Sequence, residues 1–203
     1  MGIAVYLYGD YACPHTYVMD ARLELLASEG VLAAVWRPLP TNIEGSEANW
    51  HSLGDPGPDF DANIQDLRRA SAALGLPFDL PARRPSTRRA LLSSEFARDC
   101  GPANFLRFHR AVFRAVFSDA ADIGDPEVLA GLAGRSGIDI VGLEAALEDR
   151  RYESALNEVE AEAARYGIDA TPTVLIGKYK LVGAAPLEVL RSTVTRAAAS
   201  ASA

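Results

Sequence analysis

The sequence predicts an α/β fold. A strand–helix–strand unit opens the chain, a long all-helical insertion follows, and a strand–strand–helix unit closes it. Three observations carry this. Short segments rich in β-branched and aromatic residues, Ile3–Tyr8 and Val31–Trp36, flank one stretch with a helical pattern. From Phe60 to Tyr166 the apolar residues recur at helical spacing. After Gly167 the period returns to that of strands, in Thr173–Ile176 and Tyr179–Val182. Residues 1–40 and 167–203 are thus expected to form one unit, and 41–166 the insertion.

Each element has its own signals. Gly9-Asp10-Tyr11-Ala12 breaks the first strand, and Pro14 suits the first turn of the next helix, where its missing N–H is not needed. Val18, Ala21, Leu25 and Leu26 supply an apolar face up to Ser28, and Gly30 stops the helix. Arg37-Pro38 closes the second strand. Two strands joined through a helix imply a parallel pair. Thr41–Asp61 reads as loop, with Gly45 and Gly54-Asp55-Pro56-Gly57-Pro58. Helices are then expected over Phe60–Leu74, from a Ser86 or Thr87 cap through Phe96, over 102–117, from Asp125-Pro126, over Asp139–Leu147 and over Tyr152–Tyr166. Gly177-Lys178 joins the last two strands as an antiparallel hairpin. Leu187–Ala199 is the final helix, with the tail Ala197–Ala203 expected to fray.

Composition narrows the function. The chain has 203 residues, 49% of them hydrophobic, and a formal net charge of −7. A core of ordinary size needs no metal or disulfide staple at that length. The negative balance argues against nucleic acid, which requires a basic footprint, and against anionic membrane. No run approaches the ~18 apolar residues of a membrane span. The start Met1-Gly2-Ile3-Ala4-Val5 has no basic region, which gives the expectation of a cytoplasmic protein. Two cysteines, Cys13 and Cys100, are too few for a disulfide scaffold.

Cys13 is the leading candidate for chemistry. It falls between a strand's end and a helix's start, where unpaired N–H groups and the helix dipole favour an anion such as a thiolate. The alternative is a small buried hydrophobe. Cys100, at the helix end Asp99-Cys100-Gly101, is expected to be structural; pairing with Cys13 would need Cα atoms within about 7 Å. His15, His51 and His109 lack metal-ligand spacing, so no metal is expected. Glu158, Glu160 and Glu162 read as a solvated helix face, and Trp36 and Trp50 as core or pocket wall. No Gly-rich phosphate loop is present.

Cys13-Pro14-His15-Thr16 resembles the Cys-Pro-His-Cys active site of the DsbA family of thioredoxin-fold oxidoreductases. Ala170-Thr171-Pro172-Thr173-Val174 resembles that family's cis-proline loop. Within the insertion, Pro85–Leu91, Phe108–Phe113 and Asp122–Leu129 resemble the cytoplasmic FrnE-like branch. The resemblance covers nearly the whole chain and implies a thioredoxin fold with a helical insertion. It implies a nucleophilic Cys13, tuned by a cationic His15. It also implies a cis bond between Thr171 and Pro172, with both residues and Pro14 facing substrate. Thr16 stands where the family has its second cysteine. It cannot resolve a mixed disulfide, but its hydroxyl can donate to a Cys13 thiolate.

Three readings follow, in this order. The first is a monothiol oxidoreductase acting through Cys13 and mixed disulfides with a protein or small-molecule substrate. The second is a glutathione-dependent isomerase or transferase. The chain is similar to 2-hydroxychromene-2-carboxylate isomerases and kappa-class glutathione transferases, in which a serine stands at the position of Cys13. The third is a catalytically idle binding module. No tightly bound cofactor is expected, though glutathione can serve as co-substrate; a homodimer is compatible with all three.

Overall fold

The structure, a computed structural model, describes residues 2–41 and 60–201. Most of the expected loop, including Trp50 and His51, lies outside the described residues. The elements are β1 (Ile3–Gly9), α1 (Pro14–Ser28), β2 (Leu32–Pro38), α2 (Phe60–Ala73), α3 (Arg88–Asp99), α4 (Pro102–Phe117), α5 (Pro126–Arg135), α6 (Ile140–Glu148), α7 (Glu153–Arg165), β3 (Thr173–Ile176), β4 (Tyr179–Val182) and α8 (Leu187–Ala201).

The four strands form one sheet in the order β2-β1-β3-β4. β1 and β2 are parallel, with Tyr6 opposite Val35, as a helical connection between strands requires. β3 runs antiparallel to both β1 and β4. Its register sets Thr173 opposite Tyr8. The segment entering β3 therefore arrives beside the end of β1, where the candidate nucleophile follows.

Alternation along β1 divides the core. Val5 and Leu7 point into the main core with Val174, Ile176 and Leu190. Tyr8 points to the other face, against Val159, Ala163 and Ile168 of α7 and the turn after it. On that face the Tyr8 hydroxyl donates to Glu162 at 2.6 Å, and Arg37 pairs with the same carboxylate at 2.6 Å. Glu162 is thus not part of a solvated face. Helical spacing shows which residues share a side, but not which strand side chain meets them. Burial, followed by the Glu162 carboxylate, pushes the Tyr8 phenol well above its ordinary range.

Several boundaries differ from expectation for identifiable reasons. β2 starts at Leu32 because Val31 completes the end of α1: Gly30 takes φ 74° and bonds Ala27 O, while Val31 N bonds Leu26 O. That is the Schellman pattern. Asp125 and Asp139 cap α5 and α6, accepting from Glu127 N and from Val141 N and Gly142 N. Thr87 occupies the N-cap of α3 but makes no capping bond; its hydroxyl donates to Asp10 instead. The expected fraying from Ala197 is not observed. α8 continues to Ala201, with alanine a strong helix former and Ala197 itself buried in the core.

Candidate active site

The turn between β1 and α1 is built around Asp10, which has no solvent exposure. Its Oδ1 accepts from Ala12 N at 2.8 Å, an Asx-type turn. Its Oδ2 accepts from Thr41 N, Thr41 Oγ1 and Thr87 Oγ1 at 2.6, 3.0 and 3.0 Å. The Asp10 carbonyl takes the Cys13 N–H at 3.1 Å. One carboxylate therefore ties this turn to Thr41, three residues beyond β2, and to the start of α3. Nothing in local sequence separated Asp10 from an ordinary turn aspartate, since two of its partners lie 31 and 77 positions away.

Cys13 is the N-cap of α1, with extended backbone (φ −96°, ψ 113°) and Pro14 in the first turn. It is only 8% exposed. Its thiol donates to the Thr171 carbonyl at 3.3 Å. The Thr171–Pro172 peptide is cis. Beyond it, Pro172 O accepts from Gly183 N at 2.8 Å and Thr173 Oγ1 donates to Ala170 O at 2.8 Å, which anchors the loop on both sides. Cys13, Pro14, Thr171 and Pro172 are thus brought together. No acidic residue stands in the first turn of α1 to oppose a thiolate.

His15 follows on the same turn, half-buried, and burial pushes its imidazole below the ordinary value of 6.5. Burial thus disfavours the cation at the position where the resemblance implies a cationic tuner. Thr16 is fully buried, and among the described residues its Oγ1 has no hydrogen-bond partner. With Cys13 protonated and donating to Thr171, no bond joins Thr16 to the sulfur. The sulfur's proton goes to Thr171, and the threonine methyl packs where a side chain on Gly9 would collide with it at 2.4 Å.

Behind the turn lies a buried polar chain that sequence reading missed. Tyr11 Oη and His109 Nδ1 are 2.8 Å apart, and His109 Nε2 is 3.1 Å from Asp20 Oδ1. With the ring proton on Nε2, the phenol donates to Nδ1 and the imidazole donates to the carboxylate. Trp36, Phe105 and Phe113 surround the imidazole. Burial, the largest cause, pushes the Tyr11 phenol well up. His109 has the periodicity of a core residue, and only the fold shows what it touches.

Both cysteines are free thiols. Cys100 is exposed at the end of α3; its thiol is pushed up by partial burial and by the charges of Asp99 and Asp139.

The chain matches the DSBA-like thioredoxin domain over residues 4–195. It belongs to that family. Among solved structures it is similar to a probable DsbA oxidoreductase from Streptomyces coelicolor, with a TM-score of 0.80 and 26% identity over 96% of this chain and 89% of the other. It is also similar in fold to a 2-hydroxychromene-2-carboxylate isomerase, with a TM-score of 0.77 and 24% identity over 96% and 95% of the two chains. A curated relative, the uncharacterized protein YwbO of Bacillus subtilis, is 26% identical over 96% of this chain and 97% of its own length.

Proposed function

We propose that this DsbA-like protein is a thiol-dependent oxidoreductase working through a single cysteine. The Cys13 thiolate attacks one sulfur of a small-molecule or protein disulfide. A bond to the Cys13 sulfur forms, the substrate S–S bond breaks, and the other half leaves as a thiolate. A thiolate of the glutathione class then attacks the substrate-derived sulfur of the mixed disulfide. A new disulfide departs and the Cys13 thiolate is regenerated, so sulfurs and electrons balance over the cycle.

The observation that supports this reading is the position of the Cys13 thiol, at the N-cap of α1 and 3.3 Å from Thr171 O. As a thiol it donates to that carbonyl. As a thiolate it cannot, and the N–H groups of the first turn of α1 become its natural partners. The carbonyl is then released to accept a backbone N–H from an extended substrate. In this scheme His15 acts as a neutral dipole beside the sulfur, and the Thr16 hydroxyl turns to it only in the ionised state.

The test is intact-mass analysis after exposure to oxidised glutathione at neutral pH. The expected result is one adduct per chain, absent in Cys13→Ser and removed by reduced glutathione. An adduct found only on Cys100, or none at all, would overturn the reading. Glutathione-dependent isomerisation or transfer is the second reading. The observation in its favour is that Cys13 has no thiol partner, since Thr16 and a free Cys100 are what the chain offers. An enzyme of that kind would bind reduced glutathione without accumulating the mixed disulfide.

A further inference from the structure

One turn along α1 from Cys13, a separate concavity opens between α1, α4 and the turn after α2. Its volume is about 340 Å³, within the ~300–1,000 Å³ of small-molecule sites. Tyr17, Leu76, Pro77 and Phe113 give it apolar walls. Four charged side chains also line it as two pairs: Asp20 and Glu24 from α1, Arg110 and Arg114 from α4. Spacing of four residues sets each pair on one helix face. The chemistry proposed for Cys13 uses none of them.

The condition of these charges indicates what would satisfy them. Arg110 Nε donates to both oxygens of Glu24, at 3.0 and 2.9 Å. Even so, burial and then the charge of Asp20 hold the Glu24 carboxyl above its usual range. Two carboxylates thus crowd each other against apolar walls. Arg114, mostly exposed, faces Asp119 only at 3.9 Å, too long for a hydrogen bond. The four formal charges cancel. A simple anion meets the carboxylates, and a simple cation meets the guanidinium groups. A neutral apolar guest meets none of the four, although Glu24 keeps Arg110 and Asp20 keeps His109 beneath it. A guest with one ammonium and one carboxylate on the same carbon answers both pairs.

We propose that this cavity binds a free α-amino acid with an aromatic or branched apolar side chain. Its ammonium group lies on Asp20 and Glu24, its carboxylate on Arg110 and Arg114, and its side chain against Tyr17 and Phe113. The site is independent of the thiol, so it stands whether or not the reading of Cys13 does.

Isothermal titration of the full chain tests this with L-phenylalanine, L-leucine, N-acetyl-L-phenylalanine and L-phenylalaninamide. Saturable binding of the two free amino acids is expected. The acetylated and amidated compounds, each lacking one charge, should bind at least ~10-fold more weakly, as loss of a charge-assisted pair implies. Arg114→Ala, at an exposed position, should weaken binding by a similar ~10-fold. Ala21→Phe, which fills the cavity, should abolish it, while Cys13→Ser should leave it unchanged. Circular dichroism checks that each variant is folded. No saturable binding of either free amino acid up to about 10 mM, weaker than any affinity worth ~3 kcal/mol, overturns the proposal. So do equal affinities for all four compounds, survival of binding in a folded Ala21→Phe, or its loss in Cys13→Ser.

Discussion

The Cys13 thiol and the Thr171 carbonyl, 158 positions apart, meet at 3.3 Å. Sheet register brings them together. β3 pairs antiparallel with β1, so Thr173 faces Tyr8 and the residues just before β3 lie over those just after β1. The contact also marks a choice of state. A carbonyl oxygen accepts from S–H but repels a thiolate, whereas the first turn of α1 offers N–H groups to the anion and no acidic side chain against it. In the proposed mechanism, ionisation exchanges one partner for another and frees a backbone acceptor beside the sulfur.

Thr16 gives the sharpest test of whether its hydroxyl acts in catalysis. Its Oγ1 is buried without a partner while the thiol is protonated. Valine has nearly the same shape and no hydroxyl to desolvate. Thr16→Val should therefore raise stability in urea unfolding by about 1 kcal/mol. If the hydroxyl turns to the Cys13 thiolate, the same variant should react with oxidised glutathione several-fold more slowly than the parent. Lower stability in Thr16→Val would show that the hydroxyl has a partner while the thiol is protonated, and an unchanged rate that it does not act on the thiolate.

His15 sets a pH dependence whose sign follows from burial. Its folded value lies below 6.5, because burial disfavours the cation, whereas the unfolded chain titrates near the ordinary value. Between the two values the unfolded state binds more protons. Stability thus rises with pH through that window, and the contribution is lost as pH falls from about 6.5 toward the folded value. A two-dimensional NMR titration should give a His15 midpoint below 6.5. His15→Gln should flatten the stability profile in the same window. A midpoint above 6.5 would mean that a carboxylate reaches the ring.

Much of this was legible in the sequence, and what was not has a common cause. The β1–α1–β2 order could be read because a change of hydrophobic period marks each boundary, and Cys13 because Gly9 and Pro14 bracket an N-cap. The cis bond before Pro172 was legible only through resemblance, since an isolated X-Pro bond carries little signal. Asp10 was illegible because its acceptor bonds come from Thr41 and Thr87. Glu162 was misread because the tyrosine and arginine that neutralise it lie on strands far away in the chain. Polar side chains satisfied across long sequence separations leave no periodic trace.

Asp10 should be the most destabilising single position in the turn. It accepts four hydrogen bonds and has no exposure. Asp10→Ala removes the shared acceptor of Thr41 N, Thr41 Oγ1, Thr87 Oγ1 and Ala12 N, so a loss of roughly 3 kcal/mol or more in urea unfolding is expected. Reactivity of Cys13 should fall with it, since the Asp10 backbone also holds Cys13 N. Asp10→Asn keeps one acceptor oxygen and should recover part of the loss. A cost under ~1 kcal/mol for the alanine variant would show that water replaces the carboxylate.

The Tyr11–His109–Asp20 chain can be tested as a unit. Its members belong to three elements: the β1–α1 turn, α4 and α1. If the imidazole transmits a preference for one tautomer, the bond to Tyr11 depends on the bond to Asp20. Asp20 accepts the Nε2 proton, which leaves Nδ1 free to accept from the phenol. Tyr11→Phe strands Nδ1 in a dry site and should cost about 1–3 kcal/mol. Asp20→Asn can still accept through its amide oxygen and should cost less. In the double variant the two losses should fall short of their sum by ~0.5–2 kcal/mol, because an amide holds the Nε2 proton less firmly than a carboxylate and leaves the Nδ1 acceptor less well fixed for the phenol. Urea unfolding of the four proteins of the cycle measures this directly. Additivity within ~0.5 kcal/mol would mean that the two bonds act independently, with His109 an aromatic filler rather than a link.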